Sequence, residues 1–252
     1  MKKSILIIDS GIGGITTLAT VRKNLKNIDI IYFADDTFLP YGNKSVEELA
    51  MHLCEVISAF EDQIYAVVLA CNTATGVAVE FLRKIFCFPI IGTEPAVAVA
   101  CRSEGRALVL VTPLEATQSK FLRLILQKPV MVLPQPNLAL EIDKTLLCNG
   151  RVEDILKNRQ LLQIISDVEC VLKTQKISKV VLGCTHYVFL KYVGILNKYQ
   201  LFDGNDGVAR RLAMFVDDFG NGKTNIIFGS GDKKKSQIAL RLLNELLLNF
   251  CF

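Results

Sequence analysis

Two short stretches of this 252-residue chain constrain its fold more than any other, and they resemble each other. Val67-Val68-Leu69-Ala70-Cys71-Asn72-Thr73 and Val180-Val181-Leu182-Gly183-Cys184-Thr185-His186 are each a β-branched apolar run followed by a small residue, a cysteine and polar side chains. A run without polar alternation reads as a strand buried on both faces of a parallel sheet. In open α/β sheets ligands sit just beyond the carboxyl ends of the strands, so both thiols fall where chemistry is placed. The cysteines stand nearly half a chain apart. The chain therefore reads as two similar halves, each lending one thiol to a shared cleft.

The remaining sequence alternates strand and helix, as an α/β protein with parallel sheets does. Strands are expected at Ser4–Ile8, Ile28–Ala34, Pro89–Gly92, Arg106–Val111, Val130–Leu133, Leu201-Phe202 and Asn225–Phe228. The turn Asp9-Ser10-Gly11-Ile12-Gly13-Gly14 joins the first strand to a helix through Leu25, and its backbone N–H groups form an anion seat. It lacks both the P-loop lysine and dinucleotide-fingerprint spacing; a tight turn with Asp9 as helix cap is the plain alternative. Ser45-Val46-Glu47-Glu48 is a capping box, and His52 and Cys54 on its helix are read as packing or surface residues. Further helices are expected over 74–86, 115–126, 152–172, 188–196, 208–219 and 236–247, with another carrying Glu141. Lys233-Lys234-Lys235 reads as a solvated turn.

Hydrophobic content of 51% with 21% charged residues is that of a globular protein, and no apolar run approaches a membrane span. Asp9 ends the N-terminal apolar run too early for a signal peptide, so a cytoplasmic location is expected. Eight cysteines without a CxxC pair, and only two histidines, argue against structural zinc and a disulfide framework; no metal site is expected. The net charge of +4 is scattered and suits a small anionic substrate better than nucleic acid.

Taken singly, a free cysteine after an apolar strand is a small buried hydrophobe. Two at equivalent strand ends, collared by Asn72-Thr73 and Thr185-His186, are not explained that way; Cys54, Cys87, Cys101, Cys148, Cys170 and Cys251 lack such a collar. Inverting a carbon stereocentre by proton transfer needs a base on one face and an acid on the other. A matched thiol pair, each with a helper, supplies both without metal or coenzyme.

The set Asp9-Ser10-Gly11-Ile12-Gly13-Gly14, Pro40-Tyr41-Gly42, Ala70-Cys71-Asn72-Thr73-Ala74, Gly92-Thr93-Glu94-Pro95-Ala96, Gly183-Cys184-Thr185-His186 and Ser230-Gly231-Asp232 resembles the glutamate racemases, in the same order and over nearly the whole chain. The resemblance implies cofactor-independent interconversion of L- and D-glutamate, with the D-isomer entering peptidoglycan. It implies two α/β domains related by pseudo-twofold symmetry with the active site in the cleft between them, here 1–95 with 207–252, and 96–206. By position, Cys71 would work on the α-proton of the D-isomer, helped by Asp9. Cys184 would work on that of the L-isomer, helped by Glu141 and His186. Ser10, Pro40, Tyr41, Gly42, Asn72, Thr73 and Thr185 match substrate-holding positions, and a further threonine falls at Thr112 or Thr117. Phe38 stands where many members carry arginine, and Ala34 where glycine is usual. A homodimer is an expectation carried by the resemblance alone.

Three other readings compete. An aspartate or broader amino-acid racemase would share the thiol pair. A cysteine-nucleophile enzyme would have His186 activate Cys184, but their separation of two residues weighs against contact and leaves Cys71 unexplained. A non-catalytic binding module is the third, since fold does not fix function.

Overall fold

The computed structural model describes residues 4–41, 44–217 and 220–249. Among these residues nine strands alternate with helices: β1 (Ser4–Asp9), α1 (Ile15–Asn24), β2 (Ile30–Ala34), α2 (Val46–Phe60), β3 (Ile64–Leu69), α3 (Asn72–Ile85), β4 (Ile90–Gly92), α4 (Val97–Ala100), β5 (Ala107–Val111), α5 (Pro113–Thr117), α6 (Ser119–Ile125), β6 (Val130–Pro134), α7 (Leu138–Asn149), α8 (Arg159–Thr174), β7 (Lys179–Leu182), α9 (Phe189–Tyr192), β8 (Gln200–Phe202), α10 (Asn205–Leu212), β9 (Thr224–Phe228) and α11 (Lys233–Asn249). They form two sheets, ordered β4-β3-β1-β2-β9 and β6-β5-β7-β8, with every pairing parallel.

Read as β8-β7-β5-β6, the second sheet repeats the order β4-β3-β1-β2 of the first, with β9 added. The two halves are thus equivalent strand for strand, and β3 and β7 are counterparts. Strand residues that resist helix and find cover on both faces explain the pattern: Ile5 to Ile8, Ala66 to Leu69 and Ala107 to Val111 are all fully buried. Each such large aliphatic side chain contributes roughly 1.5–3 kcal/mol by leaving water.

Three expected helices are broken. The 115–126 helix splits at Gln118, whose extended backbone (φ −69°, ψ 132°) lets its Nε2 reach the Thr73 carbonyl at 3.4 Å. The 152–172 helix splits at Asn158, whose side chain caps α8 by accepting from the N–H groups of Gln160 and Leu161; the part before it is a 3₁₀ helix. The helix expected over 188–196 is a 3₁₀ turn, His186–Val188, followed by α9. The helix expected over 208–219 begins earlier, at Asn205, and ends at Leu212; residues 218–219 lie outside the described ones. Lys233–Lys235 is not a turn but the first turn of α11, started by Asp232 Oδ1, which accepts from the N–H groups of Lys234 and Lys235. No helix of the described residues is long and apolar enough to cross a membrane.

Candidate active site

Both cysteines sit two residues past the ends of the counterpart strands β3 and β7. Cys71 caps the start of α3 and is buried; Cys184 is half-buried. Of the remaining described cysteines, Cys87, Cys148 and Cys170 are exposed and Cys54 and Cys101 half-buried; Cys251 lies outside the described residues.

Asp9, the last residue of β1, is fully buried beside Cys71. Its Oδ1 accepts from the Gly11 N–H at 3.1 Å, and its Oδ2 accepts from the Thr185 hydroxyl of the other half at 3.1 Å. It is a buried carboxylate held by the turn and by Thr185, not the N-cap of α1, which is Gly14. Burial raises its pKa; the charge of His186 and the hydrogen bonds from Gly11, Thr185 and Gly14 oppose that. Burial, and then the Asp9 charge, push the Cys71 thiol well above the ordinary range.

On the other side, Cys184 Sγ lies 3.9 Å from Nδ1 of His186. Two residues apart, thiol and imidazole do meet, because the chain turns into 3₁₀ geometry at His186. The second ring nitrogen, Nε2, lies 3.0 Å from Oδ1 of Asp143. Burial alone would lower the imidazole, but its hydrogen bonds to Asp143 and Cys184 and the negative charge of both hold His186 well above the usual histidine value. Asp143 is held below the carboxylate range despite burial, through His186 and the Ile12 N–H.

Asp143 is the residue that sequence reasoning missed. Glu141, expected to help Cys184 alongside His186, instead forms an ion pair with Lys144 at 3.1 Å, and the carboxylate hydrogen-bonded to His186 is that of Asp143. The two acids lie two residues apart on α7, about 200° around its axis, so they point different ways. Asp143 Oδ1 also accepts from the Ile12 N–H at 3.2 Å, so the anion seat of the glycine turn is filled by a carboxylate from the second half. Tyr32 of β2 braces that turn by donating to the Gly11 carbonyl at 2.6 Å.

Most of the residues around these groups are buried. Thr185 and His186 are each 4% exposed, Asn72 and Thr73 buried, and Ser10 half-buried. Tyr41 is buried and donates its hydroxyl proton to Asp35 Oδ2 at 2.8 Å, while Pro40, in a cis peptide with Leu39, is exposed. Gly42 lies outside the described residues. Of the two threonines after β5, Thr112 caps α5 by accepting from the Glu115 N–H, whereas Thr117 is exposed and donates to the Leu114 carbonyl. Glu115 is 4% exposed and its Oε2 has no hydrogen-bond partner. It borders a cavity of about 10 Å³, room for one water, together with Asn72, Thr75 and Thr93. Burial, with Glu94 adding and Lys120 opposing, lifts its pKa to about 7. Among the described residues, no three His, Cys, Asp or Glu side chains are grouped to hold a metal ion.

Such a constellation, two thiols on counterpart strand ends with an acid beside one and an acid–imidazole pair beside the other, can move protons from two sides of a bound carbon. The comparisons with known proteins agree in kind. Residues 19–209 match the family model described as Asp/Glu/Hydantoin racemase. The glutamate racemase of Bifidobacterium adolescentis is 34% identical over 256 residues, covering 94% of this chain and 93% of that protein. Among solved structures, the glutamate racemase of Aquifex pyrophilus is 28% identical with a TM-score of 0.72, covering 95% of this chain and 94% of the other. The Escherichia coli glutamate racemase, solved with L-glutamate and an activator, has a TM-score of 0.78 at 24% identity, covering 98% of this chain and 96% of its own.

Proposed function

The chain belongs to the Asp/Glu/Hydantoin racemase family, among the glutamate racemases, and on that premise we propose that it interconverts L- and D-glutamate by proton transfer between Cys71 and Cys184. It is an isomerase. The observation that supports the two-thiol reading is the equivalence of β3 and β7, each followed two residues on by a cysteine.

From L-glutamate, the Cys184 thiolate takes the α-proton and becomes a thiol. The Cys71 thiol gives its proton to the opposite face of the carbanion and becomes a thiolate. The reverse reaction exchanges these roles, so proton and charge balance in each direction. Burial and Asp9 hold Cys71 protonated, the state in which it serves as the acid for L-glutamate, and His186, held charged by its partners, lies 3.9 Å from the Cys184 sulfur. Asn72, Thr73, Thr185 and Ser10 supply hydrogen-bonding groups for the substrate's carboxylates, where donors stabilise the charge that develops as the proton leaves. The D-glutamate formed would serve peptidoglycan synthesis. The reaction itself is tested by following optical rotation of L-glutamate with purified protein and no added cofactor. Decay of rotation to zero is expected; an unchanged signal with glutamate, alongside turnover of aspartate, would move the substrate assignment.

A further inference from the structure

His52 does not serve packing or surface alone. From α2 its Nε2 lies 2.6 Å from Asp35 Oδ2, and its ring lies flat on Phe38, with centroids 3.8 Å apart and planes 11° apart. The same Asp35 oxygen accepts the Tyr41 hydroxyl proton at 2.8 Å, and Asp35 is 1% exposed. A buried carboxylate is costly unless donors satisfy it, and here one oxygen takes two, from separate elements. A carboxylate has no proton to return, so Nε2 of His52 carries hydrogen and the Tyr41 oxygen keeps only lone pairs for anything else it meets. Phe38 packs edge-on against Tyr41 at 6.4 Å, and Lys44 Nζ lies over the Phe38 ring, 4.2 Å from its centroid. Leu39, between the two anchored rings, reaches the glycine turn: a methyl group built on Gly11 would meet its Cδ1 at 3.2 Å.

We propose that His52 is a positioning residue for substrate binding, which fixes the Phe38–Tyr41 segment against the glycine turn by stacking on Phe38 and by holding Tyr41 through Asp35. The inference rests on the racemase reading, in which Pro40 and Tyr41 hold glutamate. Phe38 gains a role from it: its ring gives the imidazole a flat partner.

The test is kcat and KM for L- and D-glutamate, measured by polarimetry on the full-length chain and two variants. His52→Phe keeps the stack and removes the donor. His52→Gln places an amide N–H near the position of Nε2. Loss of one donor to a buried carboxylate should raise KM about tenfold in His52→Phe, with kcat within about twofold, and His52→Gln should recover most of the loss. Should the phenylalanine variant not fold, His52→Leu, which lacks the ring as glutamine does, isolates the donor by comparison with His52→Gln. Unchanged KM in the donor-free variant, a fall in kcat alone, or a glutamine variant no better than phenylalanine would overturn the inference while leaving the racemase reading intact. A wild-type chain that does not racemise glutamate would instead overturn the reading, and the inference with it.

Discussion

Gly13 and Thr185 touch across the two halves of the molecule so closely that only a glycine fits. A methyl group on Gly13 would stand 2.4 Å from the Thr185 hydroxyl oxygen and 2.5 Å from Nδ1 of His186. Thr185 cannot step aside freely, because its hydroxyl is bound to Asp9, nor His186, because it is bound to Asp143.

Gly13→Ala is therefore expected to separate the helpers of the two thiols. Overpacking of this kind costs about 1–3 kcal/mol, which denaturant unfolding would read, and racemisation should fall far more than stability does. A variant with wild-type turnover would mean that the turn and the β7 exit do not close on each other in the working enzyme.

Asp143→Asn keeps shape but removes the charge that helps hold His186 protonated. The His186 pKa should drop, as followed by NMR titration, and kcat should fall about 10–100-fold. The sign of the stability effect follows. His186, with its folded pKa raised, contributes fully below its ordinary value of 6.5 and loses that contribution as pH rises through the folded value. Asp143, with its folded pKa lowered, contributes above 3.8 and loses it as pH falls through the lowered value. In the variant both limbs should flatten. An unaltered His186 titration would assign its elevation to Cys184 alone.

The strands were legible because residues buried on both faces, such as Ile5–Ile8 and Ala107–Val111, admit few alternatives. Helix breaks at Gln118 and Asn158 were not, because neither Gly nor Pro marks them; each rests on a side chain finding a particular backbone group. In the site, thiols at strand ends announce themselves by pattern. The partner of His186 does not. Glu141 and Asp143 flank the buried Ile142 one residue to either side, and helical periodicity cannot choose between them. Nor can it see the Asp35–His52 contact, which bridges the exit of β2 and the middle of α2.

Glu115 should leave its mark on the pH dependence of stability. The folded chain keeps its proton up to about pH 7, whereas the unfolded chain releases it near 4.5. Between those values the folded state binds more protons, so stability falls as pH rises, by on the order of 2–4 kcal/mol. Glu115→Gln cannot ionise, and its denaturant midpoint should lose that slope. A slope equal to the wild type's would place the titration elsewhere.

The two-thiol mechanism makes the sharpest demand. If Cys71 and Cys184 face opposite sides of the α-carbon, the enantiomer that loses its proton to one thiol regains a different one from the other. In deuterated water the product should carry deuterium at the α-carbon from the first turnovers, while recovered substrate stays largely protiated. Each direction needs one thiol as base and the other as acid, so Cys71→Ala and Cys184→Ala should each abolish racemisation both ways. Exchange without inversion is a separate matter, because it needs only one base. Cys71→Ala should retain any residual exchange for L-glutamate, through Cys184 and its His186–Asp143 pair. Cys184→Ala should retain it for D-glutamate, through Cys71 and Asp9, and less of it, because the buried thiol beside a buried carboxylate resists ionisation. Near-wild-type racemisation by either alanine variant would eliminate the mechanism. Exchange of the same enantiomer by both would put the two thiols on one face of the α-carbon and count against the mechanism.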